Sequence, residues 1–132
     1  MNDKNKIDIL VETFFSVFTN KESRTKIETL KHLCIPEIII IRKTNEMHDV
    51  YNLENFITPR IKLLTNGKLL DFEEVETSET TTIRNYVAQR TSEYRKEGIL
   101  DGNRFCETGT KMFQFLKIEG QWKISSLIWN DY

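Results

Sequence analysis

The chain has 132 residues, 39% of them hydrophobic and 30% charged, with five glycines and two prolines, which describes one compact domain and not a coiled coil, a linker-rich chain or a disordered one. Nineteen basic residues stand against twenty acidic ones for a net charge of -1, so no excess of positive charge exists to bind nucleic acid or an anionic membrane. Cys34 and Cys106 have no spacing for a metal knuckle or a redox pair and are expected to be reduced, buried, small apolar side chains.

Along the chain, Ile7, Leu10, Val11, Phe14, Phe15 and Phe18 repeat at the three-then-four spacing of one helical face, with Asp8, Glu12 and Ser16 off it. Asp8 and Glu12 also interrupt the only apolar stretch that could serve as a signal peptide, so a soluble cytoplasmic protein is expected. Ser23 is placed to cap a second, shorter helix carrying Ile27, Leu30, Leu33 and Cys34, which Pro36 stops. Four consecutive isoleucines at residues 38–41 read as a strand buried on both sides. They are also the longest aliphatic run, far short of the ~20 residues of a membrane helix.

Past a polar stretch with Glu46, His48 and Asp49, Asn52 is placed to cap a third helix with Leu53, Phe56, Ile57, Ile61 and Leu64 inward and Gly67 at its end. Pro59 either kinks this helix, freeing the Asn55 carbonyl, or sits in the first turn of a second segment capped by Thr58. From Leu69 onward the period changes to two. Four β segments are predicted, at residues 70–80, 82–96, 106–119 and 121–129, with a tight turn at Glu119-Gly120 and a longer one at residues 98–103. The first hairpin is expected to turn on Arg84-Asn85, which sets Val75, Thr77 and Glu79 opposite Tyr94, Ser92 and Arg90. Residues 1–132 thus form a single α+β domain, with three N-terminal helices on a strongly bent, mainly antiparallel sheet.

This order of helix, helix, short strand, helix and two long hairpins resembles the nuclear transport factor 2-like superfamily, which includes ketosteroid isomerases, polyketide cyclases and scytalone dehydratase. Local support comes from the phenylalanine-rich first helix, from Phe56-Ile-Thr-Pro-Arg60, and from Gly120-Gln-Trp122-Lys-Ile124 followed by Trp129-Asn-Asp131, a pattern typical of its SnoaL-like branches. The resemblance implies a cone with an internal pocket between helices and concave sheet, and frequent homodimerisation through the outer sheet face. No stretch matches the tyrosine and paired aspartates of the isomerases or the His-Asp pair of the dehydratase, so no catalytic set carries over.

Strand alternation selects the residues that face such a pocket. Tyr86, Ala88, Arg90, Ser92 and Tyr94 form the better inward face of their strand. A partly buried Arg90 needs acceptors, either Glu79 by the hairpin register or an anionic ligand. Arg60, one turn beyond Phe56, either snorkels to the surface or reaches the pocket mouth, and convergence of Arg60 and Arg90 would favour a carboxylate or enolate-like substrate. Gln114, between Met112 and Leu116, either orients a ligand in an apolar wall or makes a cross-strand or dimer contact. Trp129 lies at the opposite parity from Trp122, Ile124, Ser126 and Ile128, and either lines the pocket or packs at the edge of the core. Of the two histidines, His32 is a solvated helix residue. His48, with Glu46 and Asp49 beside it, is a candidate general base at the pocket rim.

Two functions follow. One is a small-molecule pocket walled by Phe14, Phe18, Phe56, Arg60, Arg90, Tyr94, Gln114 and Trp129, binding a small anionic organic ligand or acting on it by lyase or isomerase-type proton transfer, with His48 or Glu79 as base and no metal or cofactor. The other is a protein-interaction or dimerisation module using exposed outer-face residues Val87, Phe113 and Phe115.

Overall fold

The structure, a computed structural model, describes residues 1–22 and 26–132. Helix α1 spans Asp3–Ser16, a 3-10 turn Ile27–Thr29 leads into the single turn of α2, Leu30–Leu33, and strands β1 (Cys34–Lys43) and β2 (His48–Tyr51) precede α3 (Leu53–Thr65). Four long strands follow: β3 Leu69–Arg84, β4 Val87–Leu100, β5 Asn103–Ile118 and β6 Gln121–Asp131. They make one six-stranded sheet of order β2-β1-β6-β5-β4-β3, antiparallel throughout except for the parallel β1·β6 pair.

Helix α1 forms on the apolar stripe read from the sequence and is capped by Asn2, whose side chain accepts from the Asn5 amide at 2.8 Å. It ends at Ser16, two residues before the expected Phe18, yet Phe18 remains buried. The second helix is far shorter than its spacing predicts, and the Ser23 cap lies outside the described residues. The chain is already extended at Cys34, and Pro36 falls in the register break of β1 between Cys34 and Ile39, where no ladder amide is required. The isoleucines alternate, with Ile38 and Ile40 inside and Ile39 outside, because helices cover only one face of β1. Of the two cysteines, Cys34 is buried, its thiol pushed up to about 12 chiefly by that burial, whereas Cys106 is exposed, contrary to expectation. Iodoacetamide should therefore alkylate Cys106 in the native protein and reach Cys34 only on unfolding, as peptide mass mapping would show.

Asn52 caps α3 by accepting from the Asn55 amide at 2.8 Å, so Asn52→Ala should cost about 1 kcal/mol in a urea melt. The helix runs unbroken through Pro59, and Thr58 caps nothing. Pro59 and Asn55 are both exposed, so the ladder bond that proline cannot make is lost on the solvent side.

The first hairpin turns on Asn85-Tyr86, one residue later than expected, with Asn85 at φ 56° as a left-handed turn position demands. The expected register is displaced: Arg90 faces Thr81, and Ser92 faces Glu79. A bulge at Thr77 then places Glu76 opposite Tyr94. A second bulge, at Ser125 in β6, switches the inward face from Trp122 and Ile124 to Leu127 and Trp129. The other two turns, Asp101-Gly102 and Glu119-Gly120, have positive φ at both residues.

The core fills the space between α1, α3 and the inner sheet face. Phe14 packs edge-on against Phe15, Phe18 and Phe113, while Phe113 and Phe115 stack at 5.8 Å. Phe113 and Phe115 are thus core residues at 1% and 2% exposure, which removes them from any outer-face interface. Among the described residues no helix is long and apolar enough to cross a membrane.

Candidate functional site

A cavity of about 330 Å³ opens between α3, the end of α1 and the inner sheet face. Of the residues singled out from the sequence, Phe18, Phe56, Arg60 and Trp129 line it, and Tyr51, Glu74, Lys96, Lys111 and Asp131 join them. Four of its lining residues are cationic (Arg42, Arg60, Lys96 and Lys111) and three are carboxylates (Glu74, Glu107 and Asp131), an excess of one positive charge.

Arg60 is half-buried on the inner face of α3. Its guanidinium lies 3.8 Å from the Phe56 ring centre, 5.1 Å from Tyr51 and 5.6 Å from Trp129, and donates to the Phe56 carbonyl at 3.0 Å. Burial shifts its pKa downward against the support of Tyr51, and among the described residues no carboxylate comes within ion-pair distance of it. Trp129 stacks on Tyr51 and meets Phe56 edge-on at 5.8 Å, so this end of the cavity is an aromatic cage around one guanidinium.

Elsewhere on the cavity wall, Asp131 accepts from the Tyr94 hydroxyl and from Lys96 at 3.1 Å, with Arg42 at 3.6 Å. Burial pushes the Tyr94 phenol well above its ordinary value, and the Asp131 charge adds to that. Burial alone would raise Asp131, but its bonds to Tyr94 and Lys96 hold it below the usual carboxylate range. Lys111 is 5% exposed; its ammonium lies 4.2 Å from the Tyr94 ring centre and 4.7 Å from Trp129. Its nearest carboxylate, Glu74 Oε2, is 3.8 Å away and is buried without a hydrogen-bond partner.

The remaining predicted site residues lie elsewhere. Arg90 lines a separate hollow with Lys4, Asp8, Glu76 and Glu79. Its guanidinium grips Glu76 with Nε at 3.0 Å and Nη2 at 2.5 Å, and Asp8 with Nη1 at 2.6 Å, while Glu79, the partner expected from the register, stands at 3.7 Å. Arg60 and Arg90 therefore do not converge on one ligand. Phe14 is enclosed in the core, and Tyr94 sits one layer behind the cavity wall over Lys111. Gln114 is exposed on the outer sheet face, where it accepts from Ser126 at 2.8 Å; the cross-strand alternative holds. Tyr86 is exposed at the hairpin tip. His48 belongs to β2 instead of a loop, and both it and Glu46 are exposed.

Sequence reading missed Lys111, Glu74 and Asp131. The available signal was Lys111 alternating with Phe113 and Phe115, one charge on an otherwise aromatic face.

No protein-family model and no curated protein matches the chain. Solved structures do. A nuclear transport factor 2-like protein from Cytophaga hutchinsonii aligns over 100% of both chains at 14% identity and a TM-score of 0.76. The Kfla4162 protein from Kribbella flavida is 17% identical with a TM-score of 0.78, covering 98% of this chain and 90% of its own. A nuclear transport factor 2-like protein of unknown function from Prochlorococcus is 14% identical with a TM-score of 0.73, over 98% and 93%. The fold is the nuclear transport factor 2-like fold.

Proposed function

We propose that the chain is a small-molecule-binding protein whose cone-shaped cavity takes a small organic anion, with a carboxylate on Arg60 and a planar or apolar body against Phe56, Tyr51 and Trp129. The observation that carries this reading is the Arg60 guanidinium, caged by three aromatic rings and facing the cavity with no carboxylate in ion-pair distance among the described residues. A desolvated guanidinium of this kind gains most from a bidentate anion. The volume, about 330 Å³, lies at the lower end of small-ligand sites. Proton transfer on such a ligand falls to Glu74 and Lys111, which line the cavity, in place of His48 and Glu79, which face other surfaces.

A thermal-shift comparison of benzoate with benzamide, and of phenylacetate with its amide, tests it. Only the carboxylates should raise the melting temperature, and Arg60→Ala should weaken their binding about tenfold or more. Equal effects of acid and amide would sink the proposal.

A second copy of the chain on the outer sheet face is the alternative reading. Exposed Met112 pairs with exposed Ile128, and Ile39 and Val87 are exposed on the same sheet. Sedimentation should then give a dimer that Met112→Lys dissociates; a monomer at micromolar concentration removes this reading.

A further inference from the structure

We propose that Lys111 is an amine nucleophile that condenses with the carbonyl of a small oxo acid or carboxy-aldehyde held in the cavity, forming an imine at Nζ. The proposal rests on the anion-binding reading of Arg60 and names the ligand class more narrowly.

Lys111 is not held as a structural lysine is held. Lys96 reaches Asp131 at 3.1 Å and Lys117 reaches Asp3 at 2.9 Å, both ordinary charge-assisted hydrogen bonds. Lys111, more buried than either, has no hydrogen-bond acceptor among the described residues, and its nearest carboxylate oxygen, at 3.8 Å, is beyond bonding distance. An ammonium on so buried a side chain, with no acceptor from the protein among the described residues, is costlier than the neutral amine. The groups facing it divide: burial, Lys96 and Arg60 favour the amine, Glu74, Asp131 and the faces of Tyr94 and Trp129 the ammonium, and burial outweighs the neighbouring charges to give a lowered pKa. Tyr94 and Trp129 wall the group from bulk water, the setting in which a lysine becomes a nucleophile.

The same tryptophan joins this amine to the anion anchor. Arg60 lies 5.6 Å and Lys111 4.7 Å from the Trp129 ring centre, and all three line the same cavity, so the proposed ligand is one whose carboxylate meets Arg60 while its carbonyl lies toward Lys111. With a side-chain rotation or one water closing the 3.8 Å gap, the ammonium first gives a proton to Glu74 Oε2, whose lone pairs have no donor among the described residues. The Nζ lone pair then attacks the carbonyl carbon; the C–N bond forms, the carbonyl pair moves to oxygen, and a proton passes from nitrogen to that oxygen to give the carbinolamine. Glu74 returns its proton to the hydroxyl, the C–O bond breaks, and water leaves a protonated imine opposite the Glu74 carboxylate. No electrons are gained or lost overall. Glu74 also lines the hollow that holds Asp8, Glu12, Glu76 and Glu79, so it stands between the cavity and a second opening to solvent through which protons exchange.

The test is reductive trapping of the full chain with sodium cyanoborohydride and pyruvate or 4-carboxybenzaldehyde, read by intact mass and peptide mapping. One adduct is expected at Lys111, forming about tenfold faster than at exposed Lys62 or Lys68. Lys111→Arg should abolish it, with circular dichroism and a cooperative thermal melt confirming that the variant folds. Arg60→Ala should slow trapping of both carboxylated probes about tenfold and leave neutral benzaldehyde unchanged. Adducts spread evenly over the exposed lysines, or undiminished in Lys111→Arg, overturn the proposal. Carboxylate binding with no adduct overturns it while the anion-binding reading stands; loss of both overturns both.

Discussion

Gly109→Ala is expected to destabilise the protein by about 3 kcal/mol, at the upper end of what one inserted methyl group costs in a packed interior. Gly109 lies in β5 between Tyr94 on β4 and Asp131 on β6. A Cβ there would come within 2.6 Å of the Asn130 carbonyl oxygen, 2.7 Å of the Tyr94 hydroxyl and 2.8 Å of its ring carbon. The carbonyl belongs to the backbone of the neighbouring strand, and Tyr94 is 1% exposed, so neither moves aside cheaply. Displacing the tyrosine also breaks its bond to Asp131 and removes the ring that covers the Lys111 ammonium. The variant should therefore lose both stability in a urea melt and carboxylate binding. The neighbouring exposed Thr108, changed to alanine, should shift stability by no more than about 0.5 kcal/mol. An unchanged Gly109→Ala midpoint would show that the strand accommodates the methyl group and that the tight Tyr94 contact is not needed for the fold.

Arg90→Met is the second large effect, at about 3 kcal/mol, the lower end for breaking a buried ion pair because Asp8 is 40% exposed and partly screened. Arg90 itself is 3% exposed, and its loss leaves Glu76, at 19%, facing the interior without a counter-charge. Lys4 still reaches Asp8 and Glu79, so the cost should centre on Glu76. Adding Glu76→Gln to Arg90→Met should recover part of the loss, and the double-mutant cycle measures the coupling. The pH dependence has a fixed sign. Hydrogen bonds from Thr81 and Lys4 lower Glu79; burial raises Asp8, but Lys4 and Arg90 more than reverse that. With folded values below the unfolded ones, these carboxylates stabilise the protein fully above pH ~4 and lose that contribution as the pH falls through the folded values. Circular dichroism should place acid unfolding of the wild type below pH ~4, with the midpoint higher in Arg90→Met. An Arg90→Met curve superimposed on the wild type would contradict the ion-pair account.

Several residues were legible from pattern alone. The stripe from Ile7 to Phe15 needs only a local helical period, and the inward face of Ala88, Arg90, Ser92 and Tyr94 needs only alternation. Arg90 was recognisable as an inward charge in need of acceptors, while Arg60 and Trp129 were each left between a pocket position and another. The partners were not legible. A hairpin turning one residue late and a bulge at Thr77 moved Glu76 onto Arg90 in place of Glu79, and the bulge at Ser125 set Trp129 on the same face as Ile124.

By itself, then, the sequence determined the apolar faces of α1, α3 and β4, the positive-φ turns at Asp101-Gly102 and Glu119-Gly120, and that Arg90 lies inward, because each of these depends on neighbours within one or two turns of chain. Only the tertiary structure decided that Arg60 and Arg90 serve different hollows, that Gln114 faces out, and that Lys111, Glu74 and Asp131 meet across one cavity. Those outcomes depend on register between strands far apart in sequence. A one-residue slip reverses a face there, and local composition carries no record of it.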